Sequence, residues 1–208
     1  EIGVRLVGSE MCIRDRINST YAYGGAIGEL NTVSGVLKIE DSEFLNNTIT
    51  AYDYGYGGAI YNAGIIKNIN GNFAGNYISA SSARGGAIYN DGSMAVNDSI
   101  FYANNSVSER HARGGAIRNN SGTQYITNSS FAYNYANSTS LTESNTTALG
   151  GAIYNGANLY IENTAFYKNH TNGFTAHGGA IQNAGNLTIV SSIFDGNYSD
   201  CLLYTSDA

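Results

Sequence analysis

The chain has 208 residues, among them 26 Gly, 17 Tyr and no Pro or Trp, with a net charge of −6 and 12% charged residues. So little charge beside so many aromatics excludes a disordered chain, and the shortage of Leu, Glu and Lys excludes an ordinary helical one. An acidic balance with no basic stripe also argues against a nucleic-acid partner, since nothing would neutralise phosphates.

In chain order, residues 6–15 read Leu-Val-Gly-Ser-Glu-Met-Cys-Ile-Arg-Asp and resemble the translation of a transposase-end adapter from short-read library preparation. Residues 201–208 resemble the same element read on the opposite strand. On that reading 1–16 and 201–208 are adapter-derived, and 17–200 form a single β-helical repeat domain, a fragment of a longer protein. Cys12 and Cys201, the only cysteines, fall in those ends, so their even number implies no disulfide.

Six copies of Gly-Gly-Ala-Ile follow, starting at Gly24, Gly57, Gly85, Gly114, Gly150 and Gly178. Each is trailed by Phe-x-x-Asn, at Phe44, Phe73, Phe101, Phe131, Phe166 and Phe194. Self-similarity at a spacing of 28 to 36 residues marks a solenoid, propeller or array. Between the motifs lie a turn rich in Asn and Gly and then an alternating stretch. Leu37 and Ile39, Met94 and Val96, Leu159 and Ile161, and Leu187 and Ile189 keep the period of two that a strand requires. The second unit departs, because Ile66 and Ile69 break the alternation. A last extended piece runs from Phe-x-x-Asn to the next Gly-Gly. Length varies most there, above all in the fourth unit between Ala136 and Thr147.

Each unit therefore offers three short strands and three bends, and none can bury its apolar face alone. Stacking about six coils into a parallel β-helix solves that problem, whereas a propeller blade needs four strands and about forty residues. Equivalent residues of neighbouring coils then lie about 4.8 Å apart. The stack predicts a core of Phe and Ile columns, with amide ladders from the Asn of Phe-x-x-Asn and of Gly-Gly-Ala-Ile-x-Asn. The Gly pair is expected where a Cβ would strike the coil above, and insertions are expected only at bends.

Paired Gly-Gly-Ala-Ile and Phe-x-x-Asn motifs resemble the repeat of chlamydial polymorphic outer membrane proteins and of adhesin-like surface proteins that share it. The resemblance covers about residues 23–197. It implies a right-handed parallel β-helix displayed at the cell surface and used for adhesion. The outer-membrane β-barrel anchor of the chlamydial proteins has no counterpart in this sequence, which leaves the anchoring of the parent protein open.

Candidate chemistry is sparse. His111, His170 and His177 occupy different positions in their units, and none pairs at a metal-ligand spacing. The position before Gly-Gly holds Tyr23, Tyr56, Arg84, Arg113, Leu149 and His177, a column of large side chains expected to cover a bend. Asp41, Asn70, Asp98, Asn128 and Asn163 share the position three before Phe, and Asp41 and Asp98 are two coils apart, poorly placed as a glycosidase pair. Sequons at Asn18, Asn104 and Asn186 are those a chain this rich in Asn and Ser produces by chance. No catalytic, cofactor-binding or metal-ligating residue is assigned, no cofactor is expected, and the binding residues are left open.

The expectation is a surface-exposed, adhesin-like passenger or stalk that attaches through a polar, Tyr-rich lateral face without catalysis. Its partners would be host or neighbouring-cell surface glycans or proteins, with the segment itself outside the membrane. Two alternatives stand beside it: a polysaccharide-active β-helix enzyme, lyase or glycoside hydrolase, and a purely structural spacer. The enzyme reading predicts that charged groups gather beside the fourth-unit insert.

Overall fold

A computed structural model describes residues 16–29, 36–140 and 145–201. Its 25 strands form a parallel β-solenoid of about six turns, and no helix occurs among the described residues. Each coil contributes to three sheets. The first stacks Ile27–Glu29, Ile60–Asn62, Ile88–Asn90, Ile117–Asn119, Ile153–Asn155 and Ile181–Asn183. The second carries the alternating stretch and the Phe segment, as Asn158–Glu162 and Ala165–Tyr167 do in the fifth unit. The third runs from Arg16–Tyr23 through Thr48–Tyr56, Tyr77–Arg84 and Asn105–Arg113 to Tyr198–Cys201. The three expected strands per coil thus correspond to three sheets, of which the second breaks into shorter pieces in four coils and the third in two.

The breaks follow backbone conformation. Left-handed backbone recurs three residues before Phe, at Asp41, Asp98, Asn128, Asn163 and Ser191. It recurs before the Asn of Phe-x-x-Asn, at Asn46, Gly75, Ala103, Tyr133, Lys168 and Gly196, and at the first Gly of every Gly-Gly. Asn, Asp and Gly tolerate this region at least cost, which accounts for their recurrence at these corners.

The two glycines of the pair serve different contacts. A Cβ on the first, Gly114, would lie 2.0 Å from the carbonyl oxygen of Ile117 in its own turn. A Cβ on the second, Gly115, would lie 2.0 Å from the carbonyl oxygen of Gly151 in the next coil. One glycine is required by the bend, the other by the distance between coils.

Register puts like residues on like, as in Phe101 opposite Phe73 and Phe131, and Ile117 opposite Ile88 and Ile153. The six Phe rings stack face to face from Phe44 to Phe194 with centroids 4.5 to 5.0 Å apart. Phe73, Phe101, Phe131 and Phe166 are fully buried, each worth about 1.5–3 kcal/mol of transfer free energy. The Ile column and the small Ala59, Ala87, Ala116 and Ala152 complete this core. A lesser core of Ile49, Ile78 and alanines lies behind the third sheet.

Both amide ladders are present. From Asn47 through Asn76, Asn104, Asn134 and Asn169 to Asn197, each Nδ2 donates to the Oδ1 of the next at 2.8–2.9 Å. Asn62, Asn90, Asn119, Asn155 and Asn183 form the second, at 2.6–2.9 Å. Buried in the bends except at the last coil, where Asn183 is exposed and Asn197 part-buried, these amides satisfy backbone groups that stacking has cut off from water.

Two expectations are refined. Ile66 and Ile69 are both buried, because Lys67 is an extra residue that shifts the register and returns Ile69 to the inner face. The fourth-unit insert leaves from the middle of the third sheet instead of from a bend. Tyr135–Ser138 and Thr147–Leu149 pair with the two ends of Asn105–Arg113, and the chain departs opposite Glu109 and Arg110. The same level carries register shifts in the neighbouring coils, so the ladder there is already interrupted and an insertion breaks few further hydrogen bonds.

Candidate functional site

The residues singled out in the sequence do not converge. Asp41 and Asp98 are corner residues in left-handed backbone, so their position is set by conformation and not by a shared substrate. His111 packs on the third sheet with Nδ1 3.1 Å from Thr147 Oγ1. Burial, then Arg113, Arg110 and Arg84, lower its pKa. His170 stacks between Tyr135 and Tyr198 at 4.6 and 4.0 Å. Its Nε2 is 3.2 Å from Asp200 Oδ2 without the alignment of a hydrogen bond, and burial outweighs that carboxylate and lowers its pKa. His177 is exposed. Cys201 is exposed, its thiol donating to Phe174 O at 3.0 Å, and Cys12 lies outside the described residues. No group of three or more His, Cys, Asp or Glu among the described residues is arranged to hold a metal, and no helix among them could cross a membrane.

Three surfaces carry chemistry. On the outer face of the second sheet, Tyr102, Tyr125, Tyr133, Tyr160 and Tyr167 are each 37–51% exposed. Tyr125 stacks on Tyr160 at 5.1 Å, Tyr102 meets Tyr133 edge to face at 5.6 Å, and Lys168 Nζ sits 5.7 Å from the Tyr133 centroid. The four that lie in strands face outward because those strands alternate, with Gln124, Ile126, Leu159 and Ile161 turned to the core, whereas Tyr133 sits in left-handed backbone at the corner after Ser130–Ala132. The rings that stack share their faces with each other, which leaves edges and hydroxyls to the solvent.

The second surface is the ridge at Gly-Gly. The column preceding the glycines packs against a parallel one formed by Tyr61, Tyr89, Arg118 and Tyr154, the residues just after Ala-Ile. Tyr23 and Tyr56 stack at 4.9 Å, and Tyr56 meets Tyr89 edge to face at 4.9 Å. Arg84 lies 5.2 and 5.3 Å from the Tyr54 and Tyr56 rings. Arg113 and Arg118 lie 5.6 and 4.3 Å from Tyr154. Burial, with Asp91 adding, pushes the Tyr89 phenol up to about 12. Burial and then Arg113 bring Arg118 down to about 10.

The third surface is a groove of about 430 Å³ on the third sheet, lined by Tyr52, Asp53, Ser81, Ser108, Glu109 and Thr139 among others. It lies at the level of the register shifts. It brings together Asp53 and Glu109, from strands separated by one intervening coil, and Arg110 follows directly in the chain.

Sequence reasoning missed two columns. Ser99, Ser129, Thr164 and Ser192 form a hydroxyl ladder in which each hydroxyl oxygen accepts a backbone N–H from the preceding coil. A pattern allowing Ser, Thr or Gly at one offset would have found it. The Tyr and Arg column after Ala-Ile was hidden because its identity changes from coil to coil. Comparison with protein-family profiles, with curated proteins and with solved structures finds no match to this chain.

Proposed function

We propose that this chain is part of the passenger or stalk of a surface-displayed, adhesin-like protein that attaches through its lateral face and catalyses nothing. The observation that carries this reading is the row of exposed tyrosines on the second sheet, from Tyr102 to Tyr167. Tyr offers a large, stiff, amphipathic contact at low entropic cost. Repetition along a rigid solenoid adds avidity without requiring any single strong site. Surface glycans of a host or neighbouring cell suit such a row, since hydroxyl edges at coil spacing can exchange hydrogen bonds with successive sugars. The parent protein would be held at the cell envelope by parts outside this segment.

The test is binding of the purified protein to a glycan array and to whole cells, beside a Tyr102→Ser/Tyr125→Ser/Tyr160→Ser variant. Binding that the triple variant loses at unchanged melting temperature supports attachment through this face. Absence of binding in every format favours a spacer.

The groove on the third sheet supports a second reading as a polysaccharide-active site, because it juxtaposes Asp53 and Glu109 beside the insert. Two coils of separation put their backbones about 9.6 Å apart, just beyond the range of an inverting glycosidase pair, so this reading requires the two side chains to lean toward each other across the intervening coil. Release of reducing ends from a polysaccharide panel, abolished by Asp53→Asn or Glu109→Gln, would establish it over the adhesin reading.

A further inference from the structure

The ridge at Gly-Gly concentrates positive charge in an acidic protein. Arg84 and Arg113 are neighbours in register, and Arg118 stands in the adjoining column over the same Tyr154 as Arg113. His111 lies two residues before Arg113, on the same side of the strand, and Arg110 follows Glu109 at the edge of the cluster. The two ion pairs among the described residues are Lys38–Glu40 and His170–Asp200, and neither involves an arginine.

Arg118 is only 6% exposed. Its Nη2 donates to Asn120 Oδ1 at 2.8 Å, while Nε and Nη1 are buried with no acceptor. The Nε atoms of Arg84 and Arg113 are also buried without one. The nearest carboxylate in this network, Asp91, is one relay away and already accepts from Asn120 Nδ2 at 2.8 Å and Ser121 Oγ at 2.9 Å. A buried guanidinium with unsatisfied N–H groups is costly, and tyrosine faces offset only part of that cost. Packing alone would be met more cheaply by the Tyr found at this position in three other coils, Tyr61, Tyr89 and Tyr154.

We propose that Arg84, Arg113 and Arg118 form an anion-binding site for a carboxylate- or sulfate-bearing saccharide. The forked guanidinium groups donate in pairs to such an anion, and the flanking Tyr56 and Tyr154 cover the sugar to which it is attached. Arg84 and Arg113 are part-exposed and meet the ligand first, with Arg118 as the cationic floor. In a chain whose net charge is −6, this cluster of arginines is the place where an anion gathers. The site lies on a different edge from the exposed tyrosine row and does not depend on it.

The experiment titrates the protein with polygalacturonate, dextran sulfate, neutral dextran and polyglutamate at two salt concentrations. Wild-type protein should bind at least one anionic polysaccharide, more weakly at higher salt. Arg84→Gln/Arg113→Gln should weaken that binding at least tenfold, and leave any binding of neutral dextran unchanged. Arg113→Lys, which keeps the charge and loses the fork, should weaken it less. Arg118→Met should abolish the binding without lowering the melting temperature. Binding indifferent to the arginine substitutions but lost in the Tyr102/Tyr125/Tyr160 variant would overturn the site and leave the tyrosine face standing. Equal affinity for polyglutamate would overturn the saccharide assignment. An Arg118→Met protein that melts earlier and binds normally would show the arginine to be structural, and would overturn the proposal.

Discussion

Asn104 Nδ2 donates at 2.9 Å to Asn134 Oδ1 and at 2.8 Å to the carbonyl of Phe73, so one amide closes contacts to coils on both sides. Its Oδ1 accepts in turn from the backbone N–H and the Nδ2 of Asn76. Asn104→Ala therefore removes four hydrogen bonds and takes these partners from the Asn76 N–H and the Phe73 carbonyl, each such loss costing about 1–3 kcal/mol, while Asn76 Nδ2 keeps Phe44 O and Asn134 Oδ1 keeps the Asn104 N–H. We expect a loss of at least about 3 kcal/mol by chemical denaturation. Asn197→Ala, whose bonds are only part-buried, should lose less than half as much because water can replace them. Equal losses would sink the account of the ladder.

Gln124 makes the opposite case. It is fully buried between Met94 and Leu159 in register, and neither of its amide atoms has a partner. Gln124→Leu restores the apolar column at nearly the same volume and should stabilise the protein by about 1–3 kcal/mol. A denaturation midpoint that stays or falls would count against it.

The glycines separate by position. Gly115→Ala places a methyl 2.0 Å from Gly151 O and 2.5 Å from Tyr135 N, backbone atoms that cannot yield without parting two coils. It should cost more than about 4 kcal/mol or abolish soluble expression. At Gly28 the nearest atom is 3.6 Å away and φ is not positive, so Gly28→Ala should be neutral or gain up to about 1 kcal/mol. Thermal melts of the two variants decide the matter.

Acid should weaken the fold in a defined window. His111 and His170 both have pKa values below the ordinary 6.5, chiefly through burial. The unfolded chain then takes up protons more readily than the folded one as pH drops through 6.5. Their contribution is present above that pH and is lost as pH falls toward the depressed folded values. The melting temperature should decline from pH 7 to 5, and decline less in His111→Gln/His170→Gln. Parallel pH profiles for the two proteins would refute this.

Much of the fold was legible because repetition turns a weak local signal into a strong one. A single Phe or Asn says little, but six at one offset announce a column, and Phe44 through Phe194 stack as expected. The corners were less legible. Asp41 and Asp98 are too far apart along the coils for a carboxylate pair, but only their left-handed backbone explains why Asp stands at that offset. Lys67 looked like degeneracy and is a bulge that preserves the inner face. The ridge around Arg118 was half seen. The column before Gly-Gly was found, but its partner has no fixed residue type, and its meaning lies in missing acceptors that no sequence displays.

Phe on Phe, Asn on Asn and Gly against Gly make the upper surface of every coil a match for its lower one. Such a contact is a translation that never closes on itself, and nothing in it counts turns. Whole units can therefore be gained or lost by recombination within a gene, with every remaining junction re-formed as before. The reach of such a rod is set by the number of units encoded, independently of whatever its sides have come to bind.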